Sequence, residues 1–152
     1  MKSNYLLSNK FKIPGWLLLC AGLITGLLLM IMEFDSDILS LSVLAFYNSD
    51  SLFSSNNGFF VIITNGVFDE IIALCIIVGG LLVGFSEEKI EDEFIYKLRK
   101  DSLVWAIIFN YIVLMFAIIF IYEFTFFNIL VFNMFTPLLF FIIRFNILKA
   151  RA

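Results

Sequence analysis

The chain has 152 residues, of which 62% are hydrophobic, 20 are Phe and only 15% are charged. A soluble domain is about 45–50% apolar and about 25% charged, and a globule of this size has too little interior to hide such an excess. A mean hydropathy of +1.02 and a net charge of −3 exclude a soluble enzyme, a disordered chain and a nucleic-acid binder with a basic footprint, and predict an integral membrane protein.

His is absent, which removes the usual general base near neutral pH and the commonest metal ligand. Cys20 and Cys75 lie inside apolar runs, where a thiol acts as a small hydrophobe. No zinc spacing, phosphate loop or nucleophile elbow is present. The sequence therefore gives no catalytic residue, no metal site and no cofactor.

The first apolar run follows Pro14-Gly15 and predicts a span over residues 15–32. Lys2, Lys10 and Lys12 precede it, but no small-residue cleavage pattern follows, so it reads as an uncleaved span. In it Gly22 and Gly26 offer a small-xxx-small face. Residues 33–66 read as a long outer loop whose middle, 38–47, forms either a short interfacial helix or a cap on the bundle, and whose end, 48–58, is Ser- and Asn-rich and exposed.

A second span is expected over 67–85, carrying Asp69 and Glu70 in its outer turn and Gly80 and Gly84 on its small face. The glycines suit packing within one chain or dimerisation. Carboxylates at membrane depth are functional candidates by default. Asp69 and Glu70 read as a helix cap at the interface, as a proton or cation site, or as a partner contact. Helical spacing puts Glu70 on the face of Ala73, Ile77, Gly80 and Gly84, which favours an inward orientation.

Residues 86–101 form the inner connection. Ser86 is a good N-cap, acidic residues fill the first half, and Lys97, Arg99 and Lys100 fill the last, as the helix dipole prefers. An amphipathic helix is expected here, either lying on the membrane surface or extending the neighbouring spans. Ile90, Phe94 and Leu98 form its stripe, a candidate contact face for a cytoplasmic partner.

Spans three and four are expected over 103–122 and 126–144, joined so tightly that they must be antiparallel. They carry the intramembrane polar residues Asn110, Asn133 and Thr136, with Asn110 level with Thr136 when counted from the inner ends. An interhelical hydrogen bond there is the expected use. Trp16, Trp105 and Tyr122 fall at the interfacial levels that amphipathic rings favour.

All ten Lys and Arg residues fall before span one, between spans two and three, or after span four. The positive-inside rule then puts both termini in the cytoplasm. The expected fold is a single all-α transmembrane domain, a four-helix bundle over 1–152, in the bacterial inner membrane.

The stretch Asn65-Gly66-Val67-Phe68-Asp69-Glu70-Ile71, the connection from Ser86-Glu87-Glu88-Lys89 through Leu98-Arg99 to Trp105-Ala106, and Asn133-Met134-Phe135-Thr136-Pro137 through Arg144-Phe145-Asn146 resemble a group of small four-span bacterial membrane proteins, some encoded beside helix-turn-helix regulators. The resemblance covers about residues 60–146 and implies no catalytic or binding residue. The functional expectation is a non-enzymatic accessory or regulatory membrane component, in contact with the lipid bilayer and with a second copy or another membrane or cytoplasmic protein. The alternative is a small oligomeric transporter or channel using Asp69 and Glu70. A membrane enzyme relying on Asp or Glu alone stands third.

Overall fold

A computed structural model describes residues 5–32, 40–48 and 58–151. Lys2, the acidic residues Glu33, Asp35, Asp37 and Asp50, and the Ser/Asn-rich loop over 49–57 lie outside the described residues. A 3-10 turn, Asn9–Phe11, leads into α1, Lys12–Met32. Strands β1, Ser40–Asn48, and β2, Gly58–Gly66, form an antiparallel hairpin. Helices α2, Phe68–Gly84, α3, Glu93–Phe120, and α4, Glu123–Arg151, follow. The chain divides into two compact units, one of Met1–Ala21 with Cys75–Ala152, the other of Gly22–Leu74, so α1 and α2 each run through both.

The expected all-α four-span bundle is overturned on three points. Among the described residues three helices, not four, are long and apolar enough to cross a membrane: Asn9–Ile31, Glu93–Phe120 and Thr125–Arg151. Helix α2 has 17 residues, about 25 Å at 1.5 Å per residue against a hydrocarbon core of about 30 Å. It is short because its apolar upstream neighbours, Phe59, Phe60, Val61, Ile62 and Ile63, belong to β2.

The second point is that hairpin. Where a short helix or cap was expected, β1 and β2 pair in register from Ser40 opposite Gly66 to Asn48 opposite Gly58. β-branched and aromatic residues fit the pleated surface. Cross-strand rings reinforce it, with Phe46 and Phe60 centroids 4.6 Å apart and Tyr47 and Phe59 5.1 Å apart. Leu44, Phe46, Phe60 and Ile62 alternate onto one exposed face.

Third, the helix expected over 86–101 begins only at Glu93. Asp92 is its N-cap, in extended conformation, and its Oδ1 accepts from the Ile95 amide at 2.8 Å. Residues 85–92 are instead a non-helical connector. There the Leu7 amide donates to the Phe85 carbonyl at 2.9 Å and the Glu87 amide to the Leu7 carbonyl at 2.8 Å, a short parallel pairing. The stretch beyond Asp92 extends α3, one of the two forms the sequence allowed.

In the first unit, α1 and α2 approach so closely that their backbones touch. A Cβ on Gly79 would come within 2.5 Å of the Leu19 amide nitrogen, and one on Gly15 within 2.7 Å of Leu82 Cβ. Helices α3 and α4 pack through side chains instead. Phe109 and Phe140 stack at 4.5 Å, and the Arg144 guanidinium sits 5.2 Å from the Trp105 ring centroid. Phe141, Ile142 and Phe145 of α4, Ser102 and Ala106 of α3, Val83 of α2 and Leu19 of α1 are the buried centre. Most other apolar side chains of these helices face outward, the arrangement suited to lipid rather than water.

Candidate functional site

The densest chemistry lies where α1 begins, the 85–92 connector runs and α4 ends. Asp92 caps α3 so that the helix starts only at Glu93, and this frees Glu88 and Glu91 to turn inward. Arg99, on the second turn of α3, is buried at 3% exposure. Its Nη1 donates to Glu91 Oε1 at 2.9 Å, and its Nη2 donates to Glu91 Oε2 at 3.2 Å and to the Ser86 carbonyl at 3.1 Å. This two-pronged pairing is the geometry a guanidinium makes best. The Phe145 ring lies 5.1 Å from the guanidinium carbon. Glu91 Oε2 also accepts from the Glu88 amide at 2.9 Å, so one carboxylate ties the connector to α3.

Glu88 holds the other junction. Its side chain is 7% exposed, and its two oxygens take Lys12 from the start of α1 and Lys149 from the end of α4, the latter at 2.6 Å. Burial alone would raise the Glu88 carboxyl. The hydrogen bonds and positive charge of Lys12 and Lys149 outweigh it and hold the group below the ordinary carboxylate range. Asn9 Nδ2 donates to the Glu87 carbonyl at 2.6 Å. Beside this network opens a groove of about 780 Å³, walled by Lys12, Lys89 and Lys149 with Ile13, Trp16, Ile90 and Phe94.

Of the expected contact stripe, Ile90 is 78% and Phe94 53% exposed, and both line that groove. Leu98 is half-buried on α3. Ile90 precedes the helix, so it shares the groove with Phe94 but not a helical stripe.

Asp69 and Glu70 occupy the first turn of α2, both exposed. Glu70 Oε1 accepts from Asn65 Nδ2 at 2.8 Å. Neither side chain is buried within the described residues. That is the geometry of acidic groups complementing a helix N-terminus.

Asn110 finds its partner on α4, but one turn away from the expected Thr136. Asn133 Nδ2 donates to Asn110 Oδ1 at 2.9 Å, and Asn110 Nδ2 returns a longer bond to Asn133 Oδ1 at 3.4 Å. Thr136 Oγ1 donates to the Phe132 carbonyl of its own helix at 3.1 Å. Pro137, inside α4, has no N–H for the Asn133 carbonyl.

The glycines divide. A Cβ on Gly80 would run into Leu138, and one on Gly84 would come within 2.6 Å of Phe141 Cε1, so both admit α4 side chains. Gly22 is buried in α1, and Gly26 is within ordinary reach of Ile72, 3.4 Å from its ideal Cβ to Ile72 Cγ2. Among the described residues the tightest backbone approach belongs to Gly15 and Gly79; Gly79, with Cys75, extends the small ridge of the second span in the sequence, whereas Gly15 lies outside both Gly-xxx-Gly pairs. Sequence reasoning also missed both ionic junctions. The signal for them was Asp92 as a competing N-cap, since only a break there lets Glu91 meet Arg99.

Comparison with protein-family models, curated proteins and solved structures finds no match to this chain.

Proposed function

We propose that the chain is a non-enzymatic accessory or regulatory component of the bacterial inner membrane that contacts a protein partner through Ile90 and Phe94. The observation that carries this reading is the pairing of exposure with rigidity. Ile90 and Phe94 stand exposed at 78% and 53%, beside a connector fixed by the Asp92 cap, the Arg99 fork and the Glu88 junction. A fixed apolar surface loses little freedom on docking, which is what makes an anchor effective. The concentration of Lys and Arg in the segments flanking this end supports a cytoplasmic orientation for it.

The test is a photo-crosslinker placed at Ile90 in the full-length protein within its native membrane. A discrete crosslinked species is expected, and Phe94→Asp should abolish it while detergent-solubilised protein melts as before. An undiminished crosslink in Phe94→Asp sinks the reading.

A further inference from the structure

We propose that the groove at the charged end binds the phosphodiester headgroup of an anionic glycerophospholipid. Two candidate spans, Asn9–Ile31 and Thr125–Arg151, place Lys12 near a beginning and Lys149 near an end, so the groove opens at the level where headgroups lie. Its walls are amphipathic in the matching sense. Ile13, Trp16 and Phe94 supply apolar surface, and Lys12, Lys89 and Lys149 supply ammonium groups. Three lysines face two lining carboxylates, Glu88 and Asp92. Asp92 is engaged by the Ile95 amide, and Glu88 is shared between Lys12 and Lys149. Positive charge is therefore left over, and the Lys12 and Lys149 ammonium groups each retain donors beyond the bond to Glu88.

Glu88 also fixes the spacing of the two ammonium groups, so a phosphate arrives at a preformed site. The Lys149 side chain, 37% exposed against 16% for Lys12, is the more reachable. A volume of about 780 Å³ is ample for a headgroup and the first acyl carbons. Basic pockets beside membrane-spanning helices favour anionic lipid by about fivefold per lysine. This inference needs no protein partner; Ile90 and Phe94 line the same groove, but its test reads the lipid through Trp16, Lys89 and Lys149, none of which carries the contact role given to Ile90 and Phe94.

The purified full-length protein is reconstituted in vesicles holding either brominated phosphatidylglycerol or brominated phosphatidylcholine. Quenching of Trp16 is read after subtracting the Trp16→Phe variant, which carries the Trp105 signal. Half-maximal quenching is expected at about a fivefold lower mole fraction of the anionic lipid. That preference should shrink in Lys149→Gln and in Lys89→Gln. Lys89 lies outside the Glu88 junction, so its variant decides the matter if Lys149→Gln does not fold. Equal quenching by the two lipids overturns the proposal. So does a preference unchanged in every folded variant, or one relieved by free glycerol phosphate in the aqueous phase.

Discussion

Helices α1 and α2 meet in one way and α3 and α4 in another. Lipid tails are as apolar as Leu, so burial of apolar side chains gives membrane helices no drive to associate, and close packing and interhelical hydrogen bonds must supply it. The α1 and α2 pair relies on the first. Gly15 and Gly79 remove side chains so that one backbone lies on the other. The α3 and α4 pair relies on the second, with Asn110 and Asn133 exchanging amide bonds and aromatic rings filling the space around them. A seam made by omission tolerates no added atom, whereas a seam made by a polar pair tolerates loss of a partner at modest cost. Glu88 binds the start of α1 to the end of α4 and so joins the two pairs.

The sharpest way to break the glycine seam is Gly79→Ala. Its Cβ would collide with Leu19 backbone, which cannot rotate away, so the cost is expected at about 3 kcal/mol, the top of the overpacking range. Thermal unfolding in detergent should register it. Gly26→Ala, on α1, is the contrast: the new methyl makes an ordinary contact with Ile72, and helix propensity should raise stability by about 0.5 kcal/mol. If both alanines behave alike, the seam is not set by backbone approach.

Glu88→Gln should cost about 3 kcal/mol, the low end for breaking a buried pair, because Lys149 is partly exposed. The same junction gives a pH signature. The folded carboxyl is held below the ordinary carboxylate value, so its contribution is complete above that value and fades as pH falls through the depressed folded value. A melting profile against pH should lose this acid-side slope in Glu88→Gln; an identical slope in the variant refutes the assignment.

The polar seam should yield least. Asn133→Ala and Asn110→Ala are each expected to cost about 1 kcal/mol. The double variant should cost less than the sum, since each single change already removes the shared bonds. Strict additivity would show that the two amides are not coupled.

The apolar stretches of α1, α3 and α4 were legible because nothing else explains runs of that length. The antiparallel placement of α3 and α4 followed from the few residues between them. The hairpin was not legible, because a short apolar run such as 58–66 has no periodicity that separates strand from helix, and its partner lies well upstream. The N-terminus of α3 was misplaced because Ser86 and Asp92 are both good caps. Ser86 is taken by other bonds, its Oγ donating to the Leu82 carbonyl and its own carbonyl accepting from Arg99. Counting from the span ends placed Asn110 against Thr136, and α4 sits one turn from that register. Glu70 lies in the first turn of α2, as the sequence placed it, but is exposed there with Asn65 as its partner.

The pairing of Leu7 with Phe85 and Glu87 has a consequence in time. About 79 residues separate Leu7 from Ser86, and chains are made at about 5–20 residues per second. Helix α1 ends at Met32, about 54 residues before Ser86, so it exists for about 3–11 s before the connector that fastens its leading end has been synthesised. Through that interval Asn9 lacks the Glu87 carbonyl and Lys12 lacks Glu88. The opening segment is thus a late joiner in assembly despite being made first, and a chain stalled before residue 85 would present it unfastened to whatever surveys the membrane for unfinished proteins.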